Sequence, residues 1–234
     1  MVLSWSGGKD SALALARLLD DDALQVVGLL TTVTAGYDRV SIHGVRRTLL
    51  HAQADALGLP LHKATLQPAS SNAAYEFAMA DALAEVRRRT PEVRRLAFGD
   101  IFLADVREYR EKLVDTLGFG AIFPLWDEPS RALADEVLAC GIAARLVCVD
   151  THALSAALAG RVYDRALLAD LPADADPCGE RGEFHTFVSD GPGFRAPVAY
   201  TVGETVLREN RFAYCDLLPV GAREVAAPPE SATS

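Results

Sequence analysis

The chain has 234 residues, of which 50% are apolar and 24% are charged, so it can bury a sizeable core and is neither a disordered chain nor a small disulfide-stapled scaffold. Its formal charge of −9 at pH 7, without a dense basic stripe, disfavours a nucleic acid as partner. No apolar run approaches the roughly 20 residues of a membrane span, and the first residues lack a signal peptide, so we expect a cytoplasmic protein with no membrane partner.

The first half of the sequence alternates short apolar runs, which predict strands, with amphipathic segments, which predict helices. Strands are predicted at residues 2–5, 24–33, 61–66 and 95–100. Helices are predicted at residues 12–20, 42–57, 72–89 and 104–117. This alternation predicts an α/β fold whose parallel sheet is covered on both faces.

The pattern changes near residue 123. A helix at 130–139 and a strong strand at 144–150 precede short helices up to about residue 169, and short strands follow at 183–189, 197–207 and 211–217. We therefore predict a first domain at residues 1–122 and a smaller α+β domain at residues 123–220. Residues 221–234 lack apolar periodicity and are predicted to form a disordered tail.

The most informative loop is SGGKDS at residues 6–11, between the first strand and the first helix, at the sheet edge where ligands bind. Its glycines let an anion approach the main chain, and its N–H groups, hydroxyls and lysine are donors to phosphate. Its aspartate repels phosphate unless a cation such as Mg²⁺ lies between them, so Asp10 is the candidate metal ligand. The alternative is an ordinary glycine-rich turn with a helix cap. The candidate phosphate-binding residues are Ser6, Gly7, Gly8, Lys9, Asp10 and Ser11.

A second polar segment, CGERGEFHTFVSDGP, occupies residues 178–192. Its side chains Glu180, Glu183 and His185 could accept protons from an attacking amine, bind a metal or orient a cationic substrate. Strand alternation predicts Glu183 and His185 on one face and Thr186 on the other. The alternative is a surface hairpin with solvated carboxylates, in which His185 packs on an aromatic neighbour.

Both segments resemble motifs of one group of proteins. SGGKDS resembles the PP-loop of the N-type ATP pyrophosphatases, and residues 178–192 resemble the CGExGE(F/Y)HTFxxDGP signature of the diphthine-ammonia ligase family. Smaller matches lie between them, and the resemblance covers about residues 1–218. Asp105 and Val106 stand where the family often has a Tyr-Gln pair before the arginine that matches Arg107, a departure that leaves the acyl substrate open.

The resemblance implies a fold and a reaction. The fold is a five-stranded parallel nucleotide domain, similar to the adenine nucleotide alpha hydrolases, followed by a smaller domain. In the implied reaction the loop grips the β- and γ-phosphates of ATP while a carboxylate attacks the α-phosphate and pyrophosphate leaves. Ammonia then attacks the adenylate to give an amide and AMP. ATP and Mg²⁺ are the implied cofactors, and they suit a loop whose donors offset developing negative charge.

Further nucleotide contacts are expected from topology and from the resemblance. Backbone groups near Leu30 and Thr31, late in the second predicted strand, are expected to meet the adenine ring. Gly99 and Asp100, at the end of the strand predicted at residues 95–100, are further candidate nucleotide contacts. The candidate catalytic residues are Lys9, Asp10, Glu180, Glu183 and His185.

Arg107 and Arg110 lie one helical turn apart on the helix after Asp100. They are candidates to hold pyrophosphate or the substrate carboxylate, and Thr186 is a third candidate substrate contact. The alternative for the two arginines is a solvated ion-pair face with Glu108 and Glu111.

The sequence leaves the partners partly open. Ammonia is the expected nitrogen donor, because the sequence contains no glutaminase domain. The carboxylate is unknown, and it is expected to be diphthine on elongation factor 2 if the source is archaeal or eukaryotic. A homo-oligomer stays open, as do two other functions, namely an ATP-binding regulatory module without turnover and a PP-loop enzyme acting on a nucleobase or RNA.

Overall fold

The computed structural model describes residues 1–36, 44–68 and 70–220, and its first part alternates strands and helices. Its strands are β1 (Val2–Ser4), β2 (Gly28–Thr34), β3 (Leu61–Leu66), β4 (Arg95–Ala97) and β5 (Gly120–Ile122). Its helices are α1 (Lys9–Leu19), α2 (Arg47–Leu57), α3 (Asn72–Arg89) and α4 (Ala104–Thr116).

These five strands form one parallel sheet in the order β3-β2-β1-β4-β5. The chain runs outward from β1 to β3, returns to β4 on the other side of β1, and continues to β5. The carboxyl ends of β1 and β4 therefore flank the topological switch point, where sheets of this kind bind their ligands. The SGGKDS loop follows β1 at this point.

Both faces of the parallel sheet are buried. Leu3 and Leu29 pack in a core with residues of α1 and α2, whereas Val2 and Leu30 pack in a second core with residues of α3 and α4. Successive side chains of a strand point to opposite faces, so near-continuous apolar strands are what a sheet between two helix layers requires.

The second part of the chain builds a smaller antiparallel sheet, with the strand order β7-β6-β9-β8. None of the helices in the described ranges combines the length and hydrophobicity that a membrane crossing needs. The elements of this part are α5 (Ser130–Ala139), β6 (Ala143–Asp150), a 3₁₀-helical turn (Ala156–Leu158), α6 (Arg165–Asp170), β7 (Phe184–Asp190), β8 (Tyr200–Arg208) and β9 (Phe212–Pro219).

The five-stranded parallel sheet and the smaller second sheet confirm the predicted fold class. Several predicted bounds were wrong. The first helix begins at Lys9 rather than at residue 12, because the Gly8 carbonyl already accepts from the Ala12 N–H. The second strand begins at Gly28, since residues 24–27 follow a turn at 22–23 and form neither helix nor strand.

Two further bounds differ from the prediction, and one strand was not predicted. The helix predicted from residue 42 begins at Arg47, and residues 42 and 43 lie outside the described residues. The strand predicted to reach residue 100 ends at Ala97, where the chain leaves the sheet. Strand β5 was not predicted, because glycines at positions 118 and 120 resemble a turn. The predicted tail at 221–234 lies outside the described residues, and the division at residue 122 stays a prediction.

Candidate active site

The SGGKDS loop turns directly from β1 into α1. Gly7 has a φ of 80°, a left-handed conformation that glycine adopts without strain. The first three N–H groups of α1, beginning with that of Lys9, come before the first intrahelical bond, which joins Ala12 N–H to the Gly8 carbonyl. N–H groups at this end of a helix, together with the helix dipole, favour an anion.

Two serines and a neighbouring glycine hold the loop compact. The Ser11 hydroxyl donates to the Gly8 carbonyl at 2.8 Å, and the Ser6 Oγ accepts from the Gly8 N–H at 3.3 Å. Gly99, beyond the end of β4, lies so close that a Cβ there would stand 3.0 Å from the carbonyl of Asp10. The end of β4 and the start of α1 are therefore in main-chain contact.

The segment before β7, called the acidic loop below (residues 176–183), folds around its own carboxylates. Asp176 accepts from the N–H groups of Cys178 and Glu180 at 3.0 and 3.1 Å. Glu183 accepts from the N–H of Asp176 and from one other loop N–H, both at 3.0 Å. The sequence predicts a catalytic role for Glu183, but the structure uses both of its carboxylate oxygens to hold the loop.

Lys9 joins the SGGKDS loop to the acidic loop. Its ammonium donates to both carboxylate oxygens of Asp10, at 2.8 and 2.9 Å, and to the carbonyl of Cys178. The rings of Tyr163 and Phe184 lie 5.6 and 5.3 Å from the same nitrogen. The side chain is only 2% exposed, and its three N–H donors are all used. The ammonium therefore faces the second part of the chain, whereas the sequence predicts it to face phosphate.

Strand β7 also binds the SGGKDS loop through its backbone and through Thr186. The Thr186 Oγ1 accepts from the Lys9 N–H at 3.0 Å, and the Val188 N–H donates to the Gly7 carbonyl at 2.9 Å. Thr186, a predicted substrate contact, is thus a contact of the loop. The side chain of His185, the preceding residue in the strand, lies on the opposite face of β7. This predicted catalytic residue is therefore not on the strand face that contacts the loop.

Burial sets the titration of this cluster. Burial opposes the charge of Lys9, but the carboxylate of Asp10 keeps the Lys9 pKa above its ordinary value. Burial raises the pKa of Asp10, against the attraction of Lys9. Burial also raises the pKa of Glu180 to about 7, although its Oε1 accepts from the Ile101 N–H at 2.8 Å. A carboxyl that titrates near neutral pH can exchange protons with a reacting group.

Arg107 lies against aromatic rings at the carboxyl edge of the parallel sheet. Its guanidinium is 5.0 Å from the ring of Phe123 and 4.6 Å from that of Trp126. Its Nε donates to Glu111 at 2.7 Å. One pair of the ion-pair face that the sequence offers as the alternative for the two arginines is therefore present. Both partners of that pair are partly exposed, and such a pair contributes little stability.

Arg110 is paired with Asp100 rather than with Glu108. Its Nε is 3.0 Å from the Asp100 Oδ2, an ion pair that lacks the alignment of a hydrogen bond. The guanidinium also lies 4.7 Å from the ring of Phe98. Burial raises the pKa of Asp100, against the attraction of Arg110. Two predicted site residues therefore neutralise each other.

The predicted adenine contacts lie within β2. The carbonyl of Leu30 accepts from the Trp5 N–H at 2.7 Å, and the Leu30 side chain is buried among residues of α3 and α4. Thr31 is buried as well, in register with Lys63 of β3. The structure thus uses the Leu30 carbonyl inside the sheet, and the role of Thr31 stays a prediction.

Two protein-family models match different parts of the chain. The model described as "Diphthamide synthase N-terminal domain" matches residues 1–121, and "Diphthamide synthase C-terminal domain" matches residues 129–215. The chain belongs to the diphthamide synthase family. This match confirms the family to which the two motifs pointed.

Two similar proteins are named diphthine–ammonia ligase. The one from Schizosaccharomyces pombe is 24% identical over an alignment of 227 residues, and the alignment covers 86% of this chain and 36% of that protein. The one from Danio rerio is 25% identical over an alignment of 227 residues, and the alignment covers 88% of each chain. This chain therefore spans about a third of the length of the fission yeast protein and most of the length of the zebrafish one.

Two buried residues at the site of this diphthamide synthase family member were not predicted. Gln53 of α2 donates to the carbonyls of Gly7 and Val188 and accepts from the indole of Trp5. Asp176 folds the acidic loop. The available signals were a glutamine within the apolar face of a predicted helix, and an aspartate two residues before Cys178, a spacing at which aspartate often accepts from the backbone.

The family resemblance implies Mg²⁺, so we compare the metal-binding side chains of the site with the ligands that Mg²⁺ prefers. Within the part of the chain that the structure describes, no group of three or more His, Cys, Asp or Glu side chains is arranged to hold a metal. Mg²⁺ needs fewer protein ligands, because it keeps waters and shares substrate phosphates with one or two carboxylates. Asp10 lies close enough to Asp100 to raise the pKa of Asp100, and the two side chains can supply such carboxylates. The residue types at the site therefore fit a Mg²⁺ that is bound together with a nucleotide.

Proposed function

We propose that this protein is an ATP-dependent amide-forming ligase. It joins a carboxylate to the α-phosphate of ATP, releases pyrophosphate, and transfers the acyl group to ammonia to give an amide and AMP. The observation that carries the proposal is the contact between the two motifs, in which Lys9 binds the Cys178 carbonyl and Thr186. One site then combines anion-binding N–H groups with buried carboxyls.

The position of the SGGKDS loop supports its role in holding pyrophosphate. The loop lies at the switch point of the parallel sheet and at the N-terminus of α1, which has eleven residues. Backbone N–H groups fixed in place stabilise the charge that develops on a leaving pyrophosphate. Mg²⁺ bound with ATP supplies further charge neutralisation, and Asp10 is the residue proposed to hold it.

Glu180 is proposed as the proton acceptor for the nitrogen donor. Ammonia is mostly protonated at neutral pH, and its nitrogen attacks only after a proton is lost. The carboxylate of Glu180 is partly buried, lies near Asp10 and Asp100, and has a pKa of about 7, so it takes up a proton readily. The attack forms the C–N bond and breaks the bond between the acyl carbon and the AMP oxygen, and the second proton of the nitrogen is released to water.

Arg107 is preferred over Arg110 for the substrate carboxylate. The charge of Arg110 is already neutralised by Asp100, in a pair that is mostly buried. The partner of Arg107 is the half-exposed Glu111, which an incoming carboxylate can replace. The rings under Arg107 fix the direction of its guanidinium.

The names of the relatives suggest the acyl substrate. Diphthine on elongation factor 2 is the proposed carboxylate if the source makes it, and ammonia is the proposed nitrogen donor. Because Asp105 and Val106 depart from the family pattern next to Arg107, the experiment includes small carboxylates as well.

The test uses the full chain with ATP, Mg²⁺ and isotope-labelled ammonium, with and without diphthine-bearing elongation factor 2 or a small-molecule extract. We expect AMP and pyrophosphate only with the acyl substrate, and the nitrogen label in its new amide. A carboxylate labelled with heavy oxygen should pass one label to AMP, since that oxygen joins the α-phosphate. Glu180→Gln is expected to abolish amide formation, and Glu204→Gln, an exposed glutamate of β8, is the matched control.

The outcomes separate the alternatives. ADP and phosphate as products, or AMP without the heavy-oxygen label, contradict adenylation of a carboxylate. ATP that binds but stays intact with every substrate supports a regulatory module. Turnover that depends on added RNA instead supports a PP-loop enzyme acting on nucleic acid.

A further inference from the structure

One peptide of the SGGKDS loop joins two glycines, Gly7 and Gly8. A trans peptide points its C=O and N–H in opposite directions, so the direction of the Gly7 carbonyl fixes that of the Gly8 N–H. Glycine on both sides lets such a peptide flip at little steric cost, because glycine adopts positive and negative φ about equally. The loop therefore needs other groups to hold one orientation.

Two donors hold the Gly7 carbonyl. The Gln53 side chain donates to it at 3.0 Å, and the Val188 N–H donates to it at 2.9 Å. The second N–H of the Gln53 amide donates to the Val188 carbonyl at 2.6 Å, and the amide oxygen accepts from the indole N–H of Trp5 at 2.9 Å. Gln53 is fully buried, and both of its donors and its oxygen are used. The side chain thus fastens the loop to α2 and β7 at once.

Because two hydrogen bonds hold the Gly7 carbonyl, the direction of the Gly8 N–H is fixed. It points away from Gln53, toward the Ser6 hydroxyl at 3.3 Å, where Ser11 also lies. On that side the loop presents hydrogen-bond donors, as an anion requires. A flipped peptide would place a carbonyl oxygen there and repel phosphate.

We propose that Gln53 is a positioning residue for nucleotide binding, which locks the Gly7–Gly8 peptide with its N–H on the phosphate side of the loop. This inference rests on the proposed function, since it takes the loop to be the phosphate site. Gly7 is tightly enclosed on the other side, where a Cβ would lie 2.8 Å from the Gln53 amide oxygen and 2.9 Å from Leu50. Contact with α2 therefore both requires glycine at this position and directs its carbonyl.

The test compares Gln53→Met and Gln53→Leu with Trp5→Phe. Both Gln53 variants keep the approximate size of the side chain and lose the donors to Gly7. Trp5→Phe removes a hydrogen bond of the same buried amide but leaves both donated bonds intact. Binding of ATP with Mg²⁺ and of inorganic pyrophosphate is measured by titration calorimetry, and urea unfolding of each variant gives its stability.

We expect the Gln53 variants to bind ATP and pyrophosphate about tenfold or more weakly, because one of the two hydrogen bonds to the Gly7 carbonyl is lost and only the Val188 N–H still holds the peptide. In turnover assays the KM for ATP should rise more than kcat falls. Trp5→Phe should be destabilised but should bind both ligands within about twofold of wild type.

Each of the other possible results contradicts either the proposed function or the positioning role of Gln53. Wild-type protein that does not bind ATP or pyrophosphate refutes the proposed function itself. Wild-type protein that binds them, with Gln53 variants that bind equally well, overturns the positioning role. Equal losses of affinity in Trp5→Phe and the Gln53 variants, or failure of both Gln53 variants to fold, would make Gln53 a residue of the core alone and overturn it as well.

Discussion

At the residue scale, Lys9 keeps a positive charge inside the protein, and the groups around it make this tolerable. Removing an ammonium from water costs several kcal/mol, and a counter-charge with good geometry offsets that cost. Here Asp10 supplies the counter-charge, while the Cys178 carbonyl and two ring faces complete the environment. The lysine of the motif thus acts first on the structure of the site, by holding Asp10 and the acidic loop together.

We expect Lys9→Met to lower the free energy of unfolding by about 3 kcal/mol, because the partly buried Asp10 loses its counter-charge. Adding Asp10→Asn should restore part of that loss, since the unpaired charge is removed. Urea unfolding of both single variants and the double variant gives the coupling free energy. Strictly additive effects would show that the two side chains do not stabilise each other.

Glu180 carries a second consequence of burial. Its pKa is about 7 in the folded protein, against an ordinary glutamate value of about 4.3 in an unfolded chain. Between these values the folded protein binds more protons than the unfolded one, so its stability falls as pH rises through this window. The carboxyl therefore stabilises the fold only where it is protonated, and its ionised form, the one proposed to accept a proton, is the destabilising form.

We expect Glu180→Gln to flatten this pH dependence and to raise the free energy of unfolding near pH 8 by on the order of 2 kcal/mol, while amide formation is lost. Urea unfolding without nucleotide, from about pH 5 to about pH 8, measures the slope. Glu204→Gln is the control, and it should follow the wild-type curve because that side chain is exposed. Identical curves for Glu180→Gln and wild type would mean that Glu180 titrates like a solvated glutamate.

At the element scale, the site depends on how closely β4 approaches α1. A Cβ at Gly99 would stand 3.0 Å from the carbonyl carbon and oxygen of Asp10 and 3.1 Å from the nitrogen of Ser11. These are main-chain atoms, which cannot rotate away as a side chain can. The start of α1 must therefore shift if any side chain occupies this position.

We expect Gly99→Ala to destabilise the protein by about 1–3 kcal/mol and to weaken ATP binding, because the first turn of α1 is displaced. Gly120→Ala, at the start of β5, is the matched control, since its nearest atoms lie 3.7 and 3.9 Å away. Urea unfolding and titration calorimetry of both variants check this. Normal ATP affinity in a folded Gly99→Ala protein would show that the first turn of α1 does not contact the nucleotide.

The elements that could be predicted are those whose pattern is local. Helices α3 and α5 have the bounds predicted from sequence, 72–89 and 130–139, because apolar periodicity and flanking turn residues mark both ends. The start of α1 was missed, because its first turn belongs to a loop whose glycines suggest irregular structure. Strand β5 was missed because it has only three residues and needs β4 beside it to form.

The two motifs of the site could be predicted from the sequence, but the contacts between them could not. Residue types indicated phosphate and proton chemistry at each motif, and the structure brings Lys9 and Glu180 to the same edge of the sheet. The partners of Lys9 could not be predicted, since they come from β7 and a loop more than 160 residues away. Gln53 could not be assigned either, because its role depends on how α2 packs against both segments.

At the scale of the whole molecule, one apolar core runs through both parts of the chain. Leu13 and Leu15 of α1 belong to the same buried cluster as Leu133 of α5 and Val188 of β7. At the rim, Arg17 of α1 donates to two glutamates of the second part, Glu128 and Glu136, at 2.9 Å each. The parallel sheet and the antiparallel sheet therefore stabilise each other.

We expect the full chain and a chain ending at residue 220 to unfold in one cooperative transition, and a fragment of residues 1–122 to show none. The fragment lacks α5 and β7, so the outer apolar face of α1 is left in water, and Lys9 loses the Cys178 carbonyl and both ring faces. Calorimetry and circular dichroism of the three proteins measure this, and equal calorimetric and van't Hoff enthalpies indicate a single transition. A fragment that unfolds cooperatively and binds ATP would show that the first part is an independent domain, and that the acidic loop is needed for chemistry but not for the shape of the SGGKDS loop.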